Sequence, residues 1–158
     1  MRVSTIERTP QDLGEALQVW AGEWQQRAQS QGVLFKLEGV EHLGTLALHL
    51  STFRRALLNL VQNALDAMPQ GGILTLRGQR TATHVQLQVQ DTGSGIPAEQ
   101  LTTIFEPLYT TKPGGTGLGL YIVQEIVTAH GGQLTVESVI GQGTTFTVTL
   151  PLEASPQQ

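Results

Sequence analysis

Three clusters in this 158-residue chain hold residue types that chemistry uses. In the first, Asp91-Thr92-Gly93-Ser94-Gly95-Ile96-Pro97, a carboxylate precedes two glycines. Counting by twos from Val85 through Leu87 and Val89 puts Asp91 on the apolar face of a strand, at its end. An acid in that position needs a partner, because desolvating it alone is costly. Asp-x-Gly closes an ordinary Asx-turn. The alternative is a carboxylate that accepts a hydrogen bond from an adenine amine and rejects guanine, whose oxygen would face the acid. In the second cluster, Gly114-Gly115-Thr116-Gly117-Leu118-Gly119-Leu120, glycines flank a helix start, where free N–H groups and the positive dipole end favour phosphate. It lacks the Lys-Ser/Thr of a Walker A loop, and no strand directly precedes it as the dinucleotide fingerprint requires. A flexible linker also fits it. In the third, Asn59 and Asn63 stand four residues apart at the border of an apolar stripe. Ala56 and Ala67 lie between them and the stripe, small enough to leave room for a ligand. These amides are either solvated or, at Asn63, a neutral oxygen for Mg²⁺, which keeps most of its waters and shares substrate phosphates.

Local elements must position these groups. Leu13, Leu17, Trp20 and Trp24 recur at helical spacing, predicting a helix over 10–31 that Gly32 stops. Strands are expected at Val33–Leu37 and Thr45–Leu50. Phe53, Leu57, Leu60, Val61, Ala64 and Met68 predict a helix over Ser51–Met68, capped by Ser51 and ended by Pro69-Gln70-Gly71-Gly72. Ile73–Arg80 and His84–Asp91 read as a hairpin, with a short helix after Pro97 and an irregular stretch from Phe105 to Thr116. A helix over Gly117–His130 follows, then a second hairpin, Leu134–Val139 with Thr144–Leu150. This order predicts an α/β two-layer sandwich: a mixed, mostly antiparallel sheet with about three helices on one face. Residues 1–9 read as a linker stub, 10–151 as the domain and 152–158 as a tail.

Composition narrows the function. Nine Lys+Arg against 13 Asp+Glu give a net charge of −4, with no basic run, which argues against nucleic acid or an anionic membrane as partner. The absence of cysteine removes disulfides, thiolate metal sites and a cysteine nucleophile. No apolar stretch approaches bilayer length and no signal-peptide core opens the chain, so a cytoplasmic domain is expected. Of the 18 glycines, the six in the clusters above mark backbone that turns sharply or approaches a ligand closely.

The order and spacing of these segments carry more than any one of them. Asn59-Leu60-Val61-Gln62-Asn63-Ala64, Asp91 to Pro97, Phe105-Glu106-Pro107 with Thr110-Thr111-Lys112, and Gly115 to Leu120 resemble the N, G1, F and G2 boxes of sensor histidine kinases. Gly143-Thr144-Thr145-Phe146 through Pro151 resembles that family's last hairpin. The resemblance spans about residues 10–151, and Asn63 to Pro69 with the TTKPGGTGLGL run is most similar to the nitrogen-regulation type. It implies a catalytic ATP-binding domain of the Bergerat fold, shared by gyrase, heat-shock chaperones and MutL. Asp91 would bind the adenine amine; Gly93, Gly95 and Ile96 would shape the base pocket, and Thr144 would join through water. Asn63 would chelate Mg²⁺, with Asn59 near the phosphates. Gly115, Thr116, Gly117, Leu118, Gly119 and Leu120 would line the phosphate path, and Lys112 in the Phe105–Thr116 lid is a candidate phosphate contact.

Two departures stand out. Leu108-Tyr109 replaces the paired aromatics usual after the F-box proline. No histidine is followed by the acid that marks a phosphoacceptor, so the acceptor and dimerisation helices are expected on another domain. His130 sits at a helix end, where a positive charge suits the dipole. The implied activity is transfer of the ATP γ-phosphoryl group to that separate histidine, and onward to a response regulator, by a domain monomeric alone and dimeric in the full kinase. A serine kinase of the anti-sigma type, an ATP-driven clamp and a nucleotide-binding interaction module are the alternatives.

Overall fold

Alternation of apolar and polar side chains determines which strands occupy the middle of the molecule. A computed structural model describes residues 6–107 and 119–152. In β5 (His84–Asp91), Val85, Leu87 and Val89 are buried while the glutamines between them face outward. In β7 (Gly143–Pro151), Thr144, Phe146, Val148 and Leu150 point inward in the same way. These strands lie side by side within a five-stranded sheet of order β2-β4-β5-β7-β6, completed by β2 (Val33–Glu38), β4 (Gly72–Arg80) and β6 (Gln133–Val139). Only β2 and β4 pair in parallel; the other neighbours are antiparallel. The inward face packs with α1 (Leu13–Ser30), α2 (Leu50–Asp66) and α3 (Gly119–Ala129) in one hydrophobic core. The expected mixed α/β architecture is therefore observed, with three α-helices among the described residues. Among the described residues, no helix is long and apolar enough to cross a membrane.

Two element starts differ from expectation. The first helix begins at Leu13 rather than residue 10, because Thr9–Asp12 form a strand, β1, antiparallel to β3 (Thr45–Leu48). The residue before a proline is biased towards extended backbone, which suits Thr9-Pro10 to this ribbon. Asp12 then caps α1, its carboxylate accepting from Glu15 N at 3.0 Å. Ser51 does not cap α2: His49 is the N-cap residue and no side chain caps it. The helix starts at Leu50 because Phe53 N donates to His49 O at 3.0 Å, while His49 N donates to His130 Nε2 at 3.1 Å. That second bond ends β3 two residues earlier than expected.

His130 also departs from its expected role. The ring is 2% exposed, and its Nδ1 lies 2.9 Å from Ile126 O, one turn back in α3. A carbonyl can only accept and a backbone N–H can only donate, so both ring bonds require the neutral Nδ1–H tautomer. The favourable helix-end contact comes instead from Arg8, whose guanidinium donates to His130 O at 3.0 Å. Burial pushes the His130 imidazole below its ordinary value; the Ile126 carbonyl opposes this, and the charges of Arg8 and His49 add to the lowering.

The unfolded chain therefore takes up a proton near pH 6.5 that the folded ring refuses until lower pH. His130's contribution to stability is complete above that pH and is lost as pH falls through it. The melting temperature should drop on acidification below pH 6.5. His130→Gln, which keeps one donor and one acceptor without a titrating ring, should flatten that drop; an unchanged slope contradicts the assignment.

Candidate functional site

β5 runs down the centre of the sheet and delivers Asp91 to its end on the buried face, as the period-two count predicts. The residue is 5% exposed. Gly93 N donates to Asp91 Oδ1 at 2.8 Å and Thr144 N, from the neighbouring strand, donates to the same oxygen at 3.2 Å. The first bond is the Asx-turn that Asp-x-Gly closes locally, so that reading holds for one bond. It does not account for the whole carboxylate: among the described residues, Oδ2 accepts no hydrogen bond. Burial raises the Asp91 pKa above its ordinary 3.8, against the lowering effect of the Gly93 and Thr144 amides.

The loop after Asp91 is pinned on two sides. Gly93 packs directly on the Ala67 carbonyl and Cβ, where a side chain would overlap both. Ser94 N donates to Ala67 O at 3.3 Å, and Thr92 Oγ1 accepts from Ile73 N at 3.0 Å. On the other side Gly95, at φ +81°, lies against the backbone of Val139 and Ile140, a conformation and an approach that a Cβ would prevent. Gly141 N closes onto Ser94 O at 2.8 Å, and Ile96 N donates to Ser138 Oγ at 2.7 Å. Ser138 Oγ also contacts Thr144 Oγ1 at 2.8 Å and Gly143 O at 3.1 Å. Sequence reasoning missed Ser138. Its signal was the alternation Leu134, Val136, Ser138, which continues an inward face with a hydroxyl.

From Ala67, α2 leads away from the acid. At about 1.5 Å rise per residue, Asn63 lies roughly 6 Å and Asn59 roughly 12 Å along the helix. Both amides are half-buried. Asn59 Nδ2 reaches Gly119 O at 3.5 Å, at the described start of α3. Space is open where a Gly119 Cβ would project, and Leu120 packs on the core. Ala56 and Ala67 do not leave the room expected of them: Ala56 is buried in the core and Ala67 supports Gly93. Phe105, the first residue of the expected lid, sets its ring edge-on to Phe146 at 6.2 Å. Lys112, Gly115, Thr116, Gly117 and Leu118, with Leu108 and Tyr109, lie outside the described residues. Among the described residues, no cluster of three His, Asp or Glu side chains is placed to hold a metal ion.

Thus a buried acid, two amides and a helix N-terminus follow one another along α2. Residues 49–154 match the family described as histidine kinase-, DNA gyrase B-, and HSP90-like ATPase. The chain belongs to this ATPase family. Its similarity to family members extends beyond the matched segment. Sensor histidine kinase ZraS of Salmonella typhi is 39% identical over 133 residues, covering 84% of this chain and 29% of that protein. The nucleotide-free catalytic domain of histidine kinase ThkA superposes with a TM-score of 0.84 at 30% identity, covering 93% of this chain and 97% of that one. Full-length ShkA in complex with AMPPNP gives 0.85 at 28% identity, covering 98% and 34%. The chain spans less than a third of the length of these curated relatives, 14% to 30%.

A buried carboxylate with a raised pKa lowers stability when ionised, because the folded state holds the proton above the pH at which the unfolded chain releases it. Asp91→Asn, which keeps an oxygen for the two amides, should therefore leave the nucleotide-free melting temperature at pH 7 equal or higher. It should also weaken ADP binding at least about tenfold, as loss of a charge-assisted bond does. A lower melting temperature with unchanged ADP affinity would mean that the acid is structural only.

Proposed function

We propose that this chain is the catalytic ATP-binding unit of a protein histidine kinase, with residues 10–151 as the working domain. It binds ATP with Mg²⁺ and presents the γ-phosphoryl group to a histidine on a separate domain. The observation that carries this reading is the Asp91 carboxylate, buried with one oxygen occupied and the other without a partner among the described residues. Asp91 Oδ2 accepts from the adenine amine. Gly93, Gly95 and Ile96 form the wall of the base pocket, and Thr144 supports the contact. The backbone of Gly115, Thr116, Gly117, Leu118, Gly119 and Leu120 lines the triphosphate, with Lys112 as a further phosphate contact and Asn59 beside the terminal phosphates.

Asn63 would hold Mg²⁺. A single neutral oxygen suits an ion that retains waters and shares substrate phosphates, and needs no acidic cluster. When bound, the ion offsets negative charge on the triphosphate. Phosphoryl transfer relies on positioning and charge neutralisation more than on covalent help from the protein. The acceptor imidazole attacks phosphorus, a P–N bond forms as the bond to the bridging oxygen breaks, and ADP leaves. Asn59 cannot accept a proton as a carboxylate base would, so attack by water stays slow. The whole kinase would act as a dimer, pass the phosphoryl group to a response regulator and face the cytoplasm.

Mixed with ATP, Mg²⁺ and a purified helical phosphoacceptor domain from a similar kinase, the chain should label that domain with acid-labile, base-stable phosphate. The chain alone should hydrolyse ATP barely above background. Asn63→Ala should reduce transfer by at least about tenfold, since it removes an oxygen ligand of the metal. Acid-stable product on a serine-bearing acceptor, with none on histidine, would assign the chain to serine kinases instead.

A further inference from the structure

Ser138 Oγ lies 2.7 Å from Ile96 N, 2.8 Å from Thr144 Oγ1 and 3.1 Å from Gly143 O. A serine hydroxyl has one proton and two lone pairs. Ile96 N–H can only donate, so it occupies one lone pair. The Gly143 carbonyl can only accept, so it takes the Ser138 proton. Thr144 meets the remaining lone pair and must donate its own proton. In this assignment, and in no other, all three contacts are hydrogen bonds. Thr144 Oγ1 is then left with lone pairs only, on a residue 5% exposed whose backbone N donates to Asp91 Oδ1 at 3.2 Å.

We propose that Ser138 is a positioning residue that sets base specificity: by fixing the Thr144 hydroxyl as an acceptor beside Asp91, it makes this end of the site accept-only. The inference rests on the nucleotide reading above. Two adjacent acceptors, met directly or through a water that donates to both, present only lone pairs to the base. That suits the exocyclic amine of a 6-aminopurine, which has two N–H donors, and opposes the oxygen of a 6-oxopurine. A buried polar group facing the wrong partner is the strong form of discrimination. Without Ser138 the Thr144 proton is free to rotate towards a guanine oxygen, and part of that discrimination disappears. Ser138 itself need touch no ligand.

The test is calorimetric titration of ADP and GDP, at one Mg²⁺ concentration, into the unaltered chain, Ser138→Ala and Ser138→Thr. The ratio of the two dissociation constants within one variant cancels any loss of folded protein, so a purely structural effect leaves it unmoved. Ser138→Ala should narrow the GDP/ADP ratio by about 3- to 10-fold, the scale of one hydrogen bond. Ser138→Thr, which retains the hydroxyl on a strand-compatible side chain, should restore it. If Ser138→Ala does not fold, Thr144→Val removes the oriented hydroxyl, leaves Ser138 its other two partners and should narrow the ratio likewise. A ratio unchanged in Ser138→Ala, or in Thr144→Val where that variant is used, overturns the inference while leaving nucleotide binding intact. If the unaltered chain binds neither nucleotide, the nucleotide reading fails and takes the inference with it. If it binds both equally, nucleotide binding stands but the adenine contact at Asp91 and this inference both fail.

Discussion

A carboxylate on a residue only 5% exposed, with just one of its two oxygens hydrogen-bonded within the described fold, is the constraint on which the site depends. Desolvating a charge disfavours its ionised form, and the raised pKa of Asp91 expresses that cost. Two backbone amides reduce the penalty without removing it, because both reach the same oxygen. A residue chosen for stability alone at this end of β5 would be apolar, like Val85, Leu87 and Val89 before it. Retaining an acid there makes sense if a ligand supplies the missing donor. The stability lost in the free protein is then regained on binding.

Much of the surrounding scaffold serves to hold that acid in register. β5 is bounded on both sides by paired strands, so its end cannot fray sideways. The loop that follows is anchored at Ala67 on α2 and at the β6–β7 turn, through Gly93 and Gly95 packing against backbone. Since α2 also carries Asn63 and Asn59, the anchor at Ala67 sets the distance from acid to amides, and Asn59 in turn meets the start of α3. The far end of α3 is tied to the start of α2 by the neutral His130 ring, with Arg8 on its carbonyl. α2 and α3 are thus joined at two points, His49–His130 and Asn59–Gly119, which holds the amide-bearing helix in place beside the start of α3.

What could be read from the sequence was whatever depends on near neighbours. Alternation through Val85, Leu87 and Val89 put Asp91 on the buried face, and the stripe from Phe53 to Ala64 set the helix that bears both asparagines. The same periodicity passed through Ser138, but its hydroxyl acquires meaning only once Ile96 and Thr144, far away in sequence, are brought to it. His130 is a similar case. Its position at a helix end suggested a cation, and only the long-range bond from His49 N reveals a buried neutral ring. Strand β1 was hidden for a related reason, since Thr9–Asp12 is extended through pairing with Thr45–Leu48, over thirty residues on. The bond from Thr144 N to Asp91 is also a cross-strand fact that local pattern could not supply.

Recognition of the base reduces to one amine meeting one carboxylate, and that contact is isolated by removing the amine. Calorimetric titration of the unaltered chain with ADP and with the diphosphate of purine riboside, which lacks only the exocyclic amino group, compares the two directly. The deaminated nucleotide should bind at least about tenfold more weakly, because Asp91 is then left without its donor. Equal affinity for both would contradict it.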